Sequence, residues 1–72
     1  MEEFLQFTAK ILRIDRQNIT PETAYGEIPQ WDSIMHLRLV MEIEERYAVE
    51  IPMDAVPNIK NLSQFYEFIS RN

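Results

Sequence analysis

Phe4, Phe7, Ile11 and Ile14 recur at helical spacing with Leu5 and Leu12 beside them, while Glu2, Glu3, Gln6, Lys10 and Arg13 fill the other faces. That pattern predicts a first helix of about three turns. From Arg13 to Trp31 no period survives, and Thr20-Pro21-Glu22, Gly26 and Pro29 are turn signals. The stretch is long for a connection inside a compact domain. Its apolar residues Ile14, Ile19, Tyr25, Ile28 and Trp31 predict an ordered loop packed over the core, with Pro21 after Thr20 suited to start a short helical turn.

Asp32 is placed to cap a second helix whose first residue is Ser33 and which runs to about Tyr47. Its apolar set, Ile34, Met35, Leu37, Leu39, Val40, Met41, Ile43 and Tyr47, is wider than one inward stripe. One face should pack inward, with Leu37, Val40 and Tyr47 in the core and the methionines first of all core residues. Apolar surface is left over, and Ile34, Met35 and Arg38 are expected at a partner surface. Ala48 to Pro52 breaks the pattern, Met53-Asp54-Ala55-Val56 suits one short helical turn, and Pro57 should stop it. Asn61 with Gln64 three residues on has the form of a capping box. It opens a last helix with Leu62, Phe65, Tyr66 and Ile69 facing inward and Phe68 at the edge. Val49-Glu50-Ile51 is too short to build a sheet. The fold class is all-α: a small bundle of three main helices plus one short helix, with a long loop between the first and second, residues 1–72 forming a single domain.

Composition narrows the function. Twelve acidic against seven basic residues give a net charge of -5, which repels phosphate backbones and anionic membranes. No nucleic-acid or membrane partner is expected; basic patches on other proteins are favoured instead. The chain has no cysteine and one histidine, so disulfides are excluded and no metal site is expected. The start Met1-Glu2-Glu3 is unlike a signal peptide, and no apolar run is long enough to span a bilayer. A soluble, cytoplasmic, free-standing monomer is the expectation.

No catalytic residue is assigned. Ser33 and His36 are three apart on one helix, but a nucleophile needs a base, an orienting group and an oxyanion site in a pocket that so short a chain has little room to build. His36 is expected at the helix surface or the core edge. Asp32-Ser33 alone is an ordinary helix start. Glu42, Glu44 and Glu45 sit where negative charge opposes the helix dipole. They read either as a solvated face relieved by Arg46 or, for Glu42 and Glu45, as a docking face for partners.

The segment from Trp31 through Asp32-Ser33-Ile34 to Glu44-Glu45-Arg46-Tyr47 resembles the modification site and second helix of acyl carrier proteins. The resemblance extends to Ile19-Thr20-Pro21-Glu22-Thr23 in the first loop, Glu50-Ile51-Pro52 before the short helix, and Asn61-Leu62-Ser63-Gln64-Phe65 at the last helix. It implies that Ser33 bears 4'-phosphopantetheine, transferred from coenzyme A by a phosphopantetheinyl transferase, with Asp32 as cap and recognition residue. Partners would be that transferase and acyl-loading and acyl-processing enzymes, and the protein would carry acyl groups as thioesters without being an enzyme. Trp31, Met35 and Arg38 depart from the small and acidic residues that many fatty-acid carriers have here, and Trp31-Asp32-Ser33 with His36 resembles stand-alone carriers of specialised pathways. An aminoacyl or peptidyl carrier with the same chemistry, or an unmodified acidic helical interaction module, are the alternative readings.

Overall fold

In the computed structural model, residues 1–71 are described. Three α-helices, α1 (Glu2–Leu12), α2 (Ser33–Tyr47) and α3 (Leu62–Ser70), are joined by segments that contain two short 3-10 turns, Arg16–Asn18 and Val56–Asn58. Among the described residues there is no strand, only an isolated bridge between Ala24 and Asn61. The predicted all-α bundle and the boundaries of its second helix are therefore observed. Among the described residues no helix is long and apolar enough to cross a membrane, and no cluster of His, Cys, Asp or Glu is arranged to hold a metal.

The helix ends follow from side-chain chemistry. An Asp32 carboxylate oxygen accepts the Met35 N–H at 2.9 Å, capping α2. At α3 the Asn61 side chain accepts the Gln64 N–H at 3.0 Å while the Gln64 side chain accepts the Asn61 N–H at 3.3 Å, completing the capping box. α1 and α2 end on Arg13 and Ala48 in the left-handed conformation, whose N–H groups satisfy carbonyls of the last turn.

The core joins all three helices: Phe4, Leu5 and Leu12 from α1, Leu39, Val40 and Ile43 from α2, and Leu62 and Phe65 from α3 are buried, with Ile19, Trp31, Val49, Ile51, Val56 and Ile59 added by the connections. The long loop is ordered because its backbone is tied to the start of α3. Tyr25 N–H donates to the Lys60 carbonyl at 2.7 Å, Leu62 N–H to Thr23, and Ser63 N–H to Pro21.

Several expectations are corrected. Leu37 and Met41 are exposed, because they lie on the side of α2 opposite Leu39, Val40 and Ile43. Tyr25, though partly exposed, does anchor the loop, its ring meeting those of Trp31 and His36 edge-on at centroid distances of 6.1 and 5.2 Å. The short helix falls at Val56–Asn58 and contains Pro57, which fits the first turn of a helix, where no N–H is needed. Thr20-Pro21 forms a turn, with the Thr20 hydroxyl accepting the Glu22 N–H. The 3-10 turn of that loop lies earlier, at Arg16–Asn18.

Arg46 does not relieve the glutamates of its own helix; it pairs with Glu3 of α1, to which the Tyr47 hydroxyl also donates at 2.7 Å. Hydrogen bonds from Tyr47 and Arg46 hold the Glu3 carboxyl below the ordinary carboxylate range. Burial, and then the bond to Glu3, push the Tyr47 phenol up to about 12. Because the folded phenol is raised, its contribution to stability is complete below the ordinary value of about 10 and is lost as pH rises through about 12. The Glu3 contribution runs the other way, present above the ordinary carboxylate range and lost as pH falls through its lowered value. An alkaline absorbance titration should show a late phenol, and Glu3→Gln should bring it back toward the ordinary value.

Thr8 is a different case. Its hydroxyl is fully buried in α1 and finds no hydrogen-bond partner among the described residues. Replacing a buried, unpaired hydroxyl with a methyl of the same shape removes a desolvation penalty. Thr8→Val is expected to stabilise the protein by about 1 kcal/mol, read as a melting temperature roughly 4–8 °C higher.

Candidate functional site

Ser33 stands at the first position of α2, exposed to solvent. Helix geometry leaves the Ser33 and Ile34 N–H groups without intrahelical partners, so they and the positive end of the helix dipole lie beside the hydroxyl. Asp32 does not compete for this position, since its oxygen is turned to the Met35 N–H. The other two serines are engaged, Ser63 with the Asn61 side chain at 2.8 Å and Ser70 with the Glu67 carbonyl at 3.2 Å. Ser33 is thus the accessible serine hydroxyl at an anion-favouring helix start.

A groove of about 380 Å³ opens beside it, lined by Tyr25, His36, Leu37, Val56, Pro57, Ile59 and Lys60 as well as Ser33. Its walls are mostly apolar and come from three parts of the chain: the tied-down loop, α2 and the Val56–Asn58 turn with the residues that follow. Lys60 contributes the cation.

His36 forms the floor, and the expectation that it would lie at the surface or the core edge understates its burial. It is 7% exposed and is held at both ring nitrogens. Trp31 Nε1 lies 3.0 Å from His36 Nδ1, and His36 Nε2 lies 3.0 Å from the Val56 carbonyl oxygen. An indole N–H only donates, so Nδ1 accepts; the remaining proton is on Nε2, which donates to Val56. With both nitrogens committed, His36 has no free lone pair to act as a base for Ser33. The histidine is a buried staple between loop, helix and turn, ringed by Tyr25, Trp31 and Phe65 at centroid distances of 5.2, 5.9 and 5.4 Å.

A second surface lies on the outward side of α2, where Ile34, Leu37, Arg38, Met41, Glu42 and Glu45 line a shallow depression. Ile34 is 78% and Met41 68% exposed. Four of the residues expected at a partner surface are brought together here: Ile34, Arg38, Glu42 and Glu45. Arg38 pairs with Glu42 at 3.5 Å one turn away. Met35 is not among them, being half-buried and packed on the core. Leu37 and Met41 were missed, although the i, i+3, i+7 spacing from Ile34 marks them as one stripe. Glu44 is used internally, accepting the Ile51 N–H at 2.8 Å.

Comparison with known proteins places these features in context. Residues 2–69 match the family described as the phosphopantetheine attachment site. The chain is 38% identical over 60 residues to an acyl carrier protein of Guillardia theta, an alignment covering 83% of this chain and 74% of that protein. It is 30% identical over 71 residues to an acyl carrier protein of Helicobacter pylori strain G27, covering 99% of this chain and 91% of the relative. An acyl carrier protein of Rubrobacter xylanophilus is 28% identical over 69 residues, covering 96% and 85%.

Proposed function

The chain belongs to the acyl carrier family with its phosphopantetheine attachment site, and from that premise we propose that Ser33 is the residue that bears the arm. The protein is a carrier, not an enzyme. The covalent 4'-phosphopantetheine supplies a terminal thiol on which acyl groups are held as thioesters.

The residues present fit the group. The observation that carries the assignment is an exposed hydroxyl at the start of α2, next to two N–H groups without intrahelical partners, with the adjacent Asp32 carboxylate turned into the cap. In the transfer the Ser33 hydroxyl gives its proton to a base of the transferase and its oxygen bonds to the β-phosphorus of coenzyme A, releasing adenosine 3',5'-bisphosphate. His36 stays out of this step because both its nitrogens are bonded inside the protein. The chain presents a nucleophile and lets the partner supply the base.

Partner enzymes dock on the outward face of α2. Ile34, Leu37 and Met41 give it an apolar stripe, and Arg38, Glu42 and Glu45 a mixed-charge rim. That face supports service to a specialised pathway in place of bulk fatty-acid synthesis, since its first two turns carry apolar side chains and Arg38 and no acidic residue. Residues 1–72 act as one carrier unit. Intact mass after incubation with a phosphopantetheinyl transferase, magnesium and coenzyme A tests the assignment. A gain of one phosphopantetheinyl group on the Ser33 peptide is the expected result; no gain where a control carrier is loaded defeats it.

A further inference from the structure

Resting on Ser33 as the attachment point, we propose that this carrier keeps its cargo outside the helix bundle, in the open groove beside Ser33, and is built for short acyl groups. A long acyl chain gains by leaving water in proportion to its methylene count, so a carrier for such chains profits from an interior cavity. Here the floor of the groove is closed by buried side chains. Beneath the groove lies His36, then Trp31 at 1% and Phe65 at 0% exposure, the indole and imidazole stacked at an interplanar angle of 20°.

The closure is polar as well as steric. The bonds from Trp31 to His36 and from His36 to the Val56 carbonyl tie the loop, α2 and the Val56–Asn58 turn together. A chain passing through the floor of the groove would have to separate these groups. Each buried donor and acceptor would then lose its partner with no water to replace it. An apolar plug could yield by changing rotamers; this one has hydrogen bonds to break. The groove is shallow and open, with Tyr25, Leu37 and Ile59 for a small apolar group and Lys60 at its edge.

The test uses the full chain, loaded at Ser33 by a transferase from acetyl-, hexanoyl- or dodecanoyl-coenzyme A. The single tryptophan gives a direct reporter through its indole N–H resonance. The expected result is an indole signal at one position for all three cargoes, melting temperatures within about 1 °C of each other, and amide shifts confined to groove residues such as Tyr25, Leu37 and Lys60. An indole shift that grows with chain length, with Leu39 and Ile43 amides moving and a melting temperature that climbs, overturns the inference while leaving the attachment site intact. Shifts in neither set overturn the groove as the seat. Absence of any mass gain at Ser33 defeats the attachment assignment itself, and the inference with it.

Discussion

Ser33→Ala is expected to fold as the parent protein does and to take up no phosphopantetheine at all. The position is exposed and helical, and alanine favours helix, so stability should remain within about 0.5 kcal/mol. Loading should vanish completely because no other serine can substitute: Ser63 and Ser70 are bonded within the last helix and its cap, away from the groove. Intact mass reads the loss, and circular dichroism confirms that the fold is kept. A Ser33→Ala protein that still gains the arm would move the site elsewhere. One that loses the arm yet supports every partner interaction of the parent would favour an unmodified interaction module.

Trp31→Ala is expected to cost the most stability. The indole is almost wholly buried between His36 and Phe65, and removing a buried aromatic of this kind costs about 3–5 kcal/mol through lost transfer energy and the cavity left behind. His36 Nδ1 also loses its donor. A chain of this length has a total stability on the order of 4–11 kcal/mol, so the loss is a large fraction of the whole. Urea unfolding should show a strongly lowered midpoint with the slope retained. His36→Leu separates the polar part of this effect from the packing part. It fills much of the space but leaves the Trp31 N–H unpaired, for a cost of about 1–3 kcal/mol. A Trp31→Ala protein as stable as the parent would show that the plug beneath the groove is not a structural element.

Much of the architecture was legible in residue order because it depends on local chemistry. Asp32 and the Asn61–Gln64 pair mark helix starts through bonds that span three residues, and the period of Phe4, Leu5 and Leu12 needs only the helix itself. The place of Ser33 at the start of α2 was legible for the same reason, whereas the role proposed for it came from the resemblance of the whole chain to acyl carrier proteins, because Asp-Ser at a helix start is ordinary by itself. The outward stripe of α2 was partly legible. Its width announced spare apolar surface, and the face that packs inward could have been chosen by aligning His36, Val40 and Ile43 at i, i+4 and i+7.

Residue order is enough for the three helices, the caps at Asp32 and Asn61, the acidic charge and the serine at the start of α2, all of which follow from spacing and side-chain type along a short stretch. Only the folded chain reveals that Trp31, His36 and the Val56 carbonyl meet, that Arg46 and Tyr47 reach across to Glu3, and that the loop is tied to Lys60 and Leu62. The physical reason is the same in each case. A histidine becomes a buried staple only when a donor from five residues before it and an acceptor from twenty residues beyond it close on its two nitrogens, and no local pattern encodes that closure.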